Sequence, residues 1–87
     1  MGSSLIACAV KDTASQGFNS PFFVPAAAVA LRSFRAEVNR AVSDNQLYQH
    51  PEDFELYELG SFDQDTGVIT APGPVLIARA KDLRDPS

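Results

Sequence analysis

Three groups of residues have the types and spacing to do chemistry. Asp63-x-Asp65-x-Gly67 matches the opening of a calcium loop, where alternating carboxylates wrap a hard cation. Such a loop needs a bidentate glutamate at its twelfth position, and the residue there is Pro74, so the segment reads as a hairpin turn. His50 with Glu52 and Asp53 offers one nitrogen and two carboxylates, but a histidine before a proline in an acidic turn is ordinarily solvated or capping. No metal site and no cofactor are expected. The third group is basic and aromatic. Arg32, Arg35 and Asn39 line one flank of a helical segment without an acidic neighbour three or four residues away, whereas Arg40 has Glu37 within reach. Guanidinium forks on such a ridge suit phosphates, and Phe22, Phe23 or Tyr57 suit stacking on unpaired bases. Arg40, and Arg79 and Lys81 near the C-terminus, are counted with Arg32 and Arg35 as phosphate contacts.

Catalysis needs convergent acid, base or nucleophile groups. This chain has one histidine, one cysteine, and carboxylates crowded around a single segment. No nucleophile elbow, phosphate loop or zinc pattern occurs, so the chain is read as a binding protein and not an enzyme. Cys8 lies in the apolar run Leu5-Ile6-Ala7-Cys8-Ala9-Val10 and reads as a buried small hydrophobe. A lone cysteine fits a reducing cytoplasm better than a disulfide scaffold.

Charge and length set the frame for these groups. The net charge is −4, but the residues from Glu52 to Asp65 include six acids and no basic residue, which leaves +2 on the rest. The chain is electrically two-faced. At 87 residues it holds one domain, 1–87, whose core would gain from a partner subunit, and a homodimer is expected. No apolar run approaches the length of a membrane span. Met1-Gly2-Ser3-Ser4 has no basic stretch of a signal peptide; it reads as a cloning remnant and is set aside.

The elements that must position the candidate residues follow from periodicity and turn residues. Leu5 to Lys11 reads as a central strand covered on both faces, and Asp12 to Gly17 as a loop. Phe22-Phe23-Val24, pinned between Pro21 and Pro25, reads as a short edge strand or an extended entry to the next helix. With Pro25 suited to the N1 position, a long helix is predicted over Ala26 to Ser43. Its apolar side carries Ala27, Leu31, Phe34, Val38, Ala41 and Val42. Gln46 to Asp53 reads as a loop or a single helical turn.

Phe54 to Phe62 alternates Phe54, Leu56, Glu58, Gly60 and Phe62 against Glu55, Tyr57, Leu59 and Ser61, with large apolar groups on both faces. A turn at Asp63 to Gly67, with Gly67 in the left-handed position, leads to Val68-Ile69-Thr70. A last strand, Val75 to Lys81, places Val75, Ile77, Arg79 and Lys81 on one side, and residues 82–87 are expected to fray. The predicted fold class is α+β: a single small domain with an antiparallel or mixed sheet of four to five strands and one long helix on one face.

Several segments together resemble a known family. They are Ser20-Pro21-Phe22-Phe23-Val24-Pro25, Ala30-Leu31-Arg32-Ser33-Phe34, Glu37-Val38-Asn39-Arg40, Leu47-Tyr48, His50 to Asp63, and Thr66-Gly67. The sequence is similar to the small nonstructural protein of gokushoviruses, tail-less single-stranded-DNA phages of the Microviridae, from about Leu5 to Ala80. The resemblance implies a nonstructural protein in the cytoplasm of a bacterial host. It would bind single-stranded viral DNA with little sequence preference and assist the move from duplex intermediates to single-stranded genomes for packaging. It carries no binding residues with it. The alternative is a protein interaction module that docks on the viral replication initiator, procapsid proteins or a host replication factor through its acidic strand.

Overall fold

The computed structural model describes residues 3–86. Six strands form one sheet: β1 (Ser4–Asp12), β2 (Gly17–Phe18), β3 (Phe22–Val24), β4 (Phe54–Asp63), β5 (Ile69–Thr70) and β6 (Val75–Arg79). Helix α1 (Ala27–Val38) and the single turn α2 (Gln46–Gln49) lie between β3 and β4. Short 3-10 turns at Pro51–Asp53 and Ala80–Asp82 precede β4 and follow β6. The long strands β1 and β4 pair at the centre; β2 and β3 share the outer edge of β1, and β5 and β6 share that of β4. Every pairing is antiparallel. The α+β class with one main helix on one face is therefore as expected. The sheet is wholly antiparallel and has one strand more than predicted, because Gly17, read as the end of a loop, and Phe18 after it pair with Asp12 and Lys11.

The helix packs on one side of this sheet. Ala30, Phe34 and Val38 bury against Cys8, Leu56 and Ala80, and Ile6, Val10, Val24, Leu47, Phe54, Ile77 and Leu83 surround them. Leu56, Val38 and Cys8 are the largest fully buried side chains. Cys8 has no exposed surface, and burial, with Glu58 nearby, pushes its thiol pKa up, so it packs as a hydrophobe.

The helix is shorter than the apolar pattern predicted. It begins after Ala26 and ends at Val38, with Pro25 outside it, so Ala41 and Val42 lie beyond its end and are exposed. Two asparagines stop it. Asn39 caps the C-terminus and donates both its backbone N–H and its side-chain amide to the Arg35 carbonyl of the last turn. Asn45, buried at 5% exposure, donates to the carbonyls of Glu37 and Arg40 and accepts from the Leu47 amide, opening α2.

Two β-bulges change which side chains share a face. In β4, Leu59 is the extra residue between the pairs Ala7/Gly60 and Cys8/Glu58. Period-two alternation would send Phe62 to the helix side with Leu56, and the extra residue turns it to the side of Tyr57. In β6, Ile77 is extra between Leu56/Ala78 and Tyr57/Leu76, so Ile77 joins the core and Arg79 faces the same way as Leu76.

Turn chemistry is local. Gly67 is left-handed (φ 77°), and its amide donates to the Asp63 carbonyl at 2.7 Å, as the hairpin reading required. The Asp63 carboxylate accepts from the amides of Asp65 and Thr66, and that of Asp65 accepts from the Ser3 amide.

At the chain ends two expectations change. Ser4 opens β1 and so belongs to the fold, while Met1 and Gly2 lie outside the described residues. The segment after β6 docks where fraying was expected. Arg84 lies 4.0 Å over the Tyr48 ring and donates to the Tyr48 carbonyl at 2.6 Å, and the Asp85 amide donates to Asn39 Oδ1. Ser87 lies outside the described residues.

Candidate nucleic-acid interface

Among the described residues no element covers the sheet face opposite α1. Strand alternation and the two bulges place Leu5, Ala7, Ala9 and Lys11 of β1 there, flanked by Phe18, Phe23, Tyr57, Phe62, Ile69, Leu76 and Arg79 from the neighbouring strands. The central residues are small, and Ala9 is fully buried beneath the larger side chains on either side. Two aromatic pairs result. Phe18 and Tyr57 meet edge to face with ring centroids 5.3 Å apart, and Phe23 and Phe62 lie 6.0 Å apart. Phe18 stays 43% exposed and Phe23 48%. The Lys11 ammonium lies 5.6 Å from the Phe18 centroid and 6.0 Å from that of Tyr57.

The charges on this face are arranged around the aromatics. Glu55 pairs with Arg79 at 3.3 Å and accepts the Tyr57 hydroxyl at 2.8 Å. That hydrogen bond is the chief reason the Tyr57 phenol is held above its usual pKa, with burial and the Glu55 charge adding to it and Arg79 opposing it. Among the described residues Lys11 has no carboxylate at ion-pair distance, so its charge is the uncompensated one on this face.

The sheet edges are closed to pairing while the face is open. β2 and β5 are two residues each, β3 is pinned between Pro21 and Pro25, and β6 is bulged at Ile77. These are the devices that blunt edges against strand addition. An exposed aromatic face with blunted edges makes this face the candidate contact surface.

The predicted site residues divide between the two sides of the sheet. Phe23, Tyr57 and Arg79 come together on the open face. Phe22, opposite Cys8, turns to the helix side. Arg32 and Arg35 are exposed on α1, with Arg35 3.8 Å from Asp85. Asn39 spends its side chain on Arg35, Leu83 and the Asp85 amide, and Arg40 binds Glu37 through two bonds of 2.9 and 2.6 Å, the pairing their spacing suggested. Lys81 is exposed in the turn after β6. The acidic strand is likewise divided. Glu55 lies on the open face and Glu58 on the helix side, and the other acids of that window sit in or beside the turns flanking β4. His50, Glu52 and Asp53 bring their ligand atoms within 4.8 Å of one another, with His50 and Glu52 exposed.

Sequence reasoning missed Lys11, Phe18 and Phe62. The available signal was the alternation of small Ala7 and Ala9 with larger residues in β1, which leaves a shallow floor for neighbouring aromatics.

The sequence matches the model of the Phage ORF5 protein family over residues 5–83. The chain belongs to the Phage ORF5 protein family. The match spans both helices and every strand but for Ser4 at the start of β1, so the open face is built entirely from the ORF5 region. No curated protein and no solved structure is significantly similar to the chain. Among the described residues of this phage protein no helix is long and apolar enough to cross a membrane.

Proposed function

We propose that this phage protein binds single-stranded DNA on the open sheet face, without catalysis, and assists the switch from duplex intermediates to single-stranded genomes. The observation that carries the reading is the Phe18–Tyr57 pair with the uncompensated Lys11 over both rings. Unpaired bases offer flat π faces to such rings, and the cation meets the phosphates. The similarity to the gokushovirus nonstructural protein supports the same role. Net charge −4 argues for few phosphate contacts, hence for affinity drawn more from stacking than from counterion release.

Fluorescence anisotropy with a labelled single strand and a duplex of the same sequence, at low and physiological salt, tests this. Single-strand binding is expected, weakened by Phe18→Ala and Phe23→Ala and little changed by Arg32→Glu with Arg35→Glu. The opposite pattern would move the site to the helix ridge. Absence of binding to either DNA at low salt would overturn the reading.

The alternative is a second copy on the same face. The molecule's extents of 44 × 25 × 20 Å bound a face comparable to the roughly 800 Å² each partner gives a standard interface. Light scattering separates the two: a dimer that dissociates as single-stranded DNA is added would mean both use this face. Docking on replication or capsid proteins is less favoured, since the acids that would guide it lie on both sides of the sheet.

A further inference from the structure

The open face has a hollow of about 230 Å³ at the end away from Lys11, lined by Ala7, Pro21, Phe23, Leu59, Gly60, Ile69 and Ala71. Ala7 and Gly60, cross-strand partners, lie at its floor, and Phe23 and Ile69 stand on opposite sides. Because position 60 carries no side chain, the chain after β5 can cross close above it, with Ala71 Cα 2.9 Å from where a Cβ would stand, and this crossing brings Ala71 into the lining of the hollow. The surface lining it is entirely apolar.

From this lining, the geometry points to a slot for the C5 edge of one unpaired pyrimidine, with thymine favoured. The inference rests on the single-strand reading above and names the base that the face prefers. An apolar slot penalises any nitrogen or oxygen it desolvates without a partner. Along the perimeter of the nucleobases, the C5–C6 edge of a pyrimidine is the one stretch of two ring carbons carrying no polar atom. A purine entering by its C8 corner would carry N7 in beside it. Thymine adds a methyl group at C5, the apolar handle that proteins read on this base. A base entering by that edge keeps its carbonyls and ring N–H towards water and lies beside the Phe23 ring. The slot is continuous with the aromatic face: Ala7 and Lys11 are four residues apart on β1, roughly 13 Å at strand rise, so a short run of bases spans slot and cation together.

The test compares homopolymers that differ by one methyl group. Oligo-dT is expected to bind about fourfold more tightly than oligo-dU, and oligo-5-methyl-dC about fourfold more tightly than oligo-dC, the factor of one buried methyl. Ala71→Leu, which fills the slot, should remove both differences while Phe18→Ala keeps them. As a readout that needs no variant, NMR on oligo-dT carrying labelled methyl groups should give cross-peaks from the thymine methyl to the methyls of Ala7 and Ala71. Equal affinity for dT and dU, or binding without those cross-peaks, overturns the slot and leaves the single-strand reading standing. Absence of binding to every oligomer overturns both.

Discussion

Phe18 and Tyr57 meet edge to face across β1, from strands on its two sides, at an interplanar angle of 68°. Lys11 of the intervening strand reaches both rings, so three strands each give one side chain to the same spot. Removing Phe18 should therefore weaken single-strand binding by about five- to a hundredfold, the range for losing one stacked base. Lys11→Ala should instead flatten the dependence of log affinity on log salt by about 0.7, the share of one phosphate contact on a single strand. Salt-series anisotropy on both variants separates the two contributions.

Tyr57 should ionise above the ordinary tyrosine range, because its hydroxyl donates to the Glu55 carboxylate. A raised folded-state pKa means that this contribution to stability is fully present below pH about 10 and is lost as pH rises through the higher midpoint. Ultraviolet titration in a Tyr48→Phe background follows the one remaining phenol. Glu55→Gln should bring the midpoint back towards the normal value; an unmoved midpoint would show that Glu55 is not its cause.

Gly60→Ala should destabilise the domain by about 1–3 kcal/mol through overpacking. The added Cβ would land on the Thr70 carbonyl oxygen and against Ala71. Gly67→Ala tests a different mechanism, since no atom lies near its Cβ position but its φ is +77°. Chemical denaturation should show a loss there too, of about 1 kcal/mol or more from the left-handed backbone alone.

Asn45→Ala should destabilise by about 1–3 kcal/mol, because it removes the side-chain donor to the Glu37 and Arg40 carbonyls, which keep only the backbone amides of Arg40 and Val42, and uncaps α2. Asn45→Asp keeps the acceptor for the Leu47 amide and loses both donors. It should recover only the capping part of the loss in the same denaturation measurement.

Much of the fold was legible because its signals are local. The prolines around Phe22–Val24, the apolar run at Leu5–Val10 and the Asp63–Gly67 turn each specify their own conformation through backbone restriction, burial or side-chain capping. The Glu37–Arg40 pair was equally readable, since helical spacing alone brings the two together. The helix end was misread because the apolar pattern continues to Val42, while the competing hydrogen bonds come from Asn39 and from the more distant Asn45.

By itself the sequence determined a small α+β domain, a buried Cys8, a hairpin at Gly67 and a supply of aromatic and basic side chains. It did not determine which of them share a surface. That was decided by two extra residues, Leu59 in β4 and Ile77 in β6, which the tertiary pairing accommodates as bulges. In a strand the side-chain period is two, so one added residue reverses the facing of everything beyond it. Those reversals carry Phe62 and Arg79 to the side of Tyr57, and the unforeseen pairing of Gly17-Phe18 with β1 brings Phe18 there as well. The open aromatic face is thus a product of strand register, which depends on partners far apart in the chain and leaves as its local mark only the small Ala7 and Ala9 alternating with larger residues in β1.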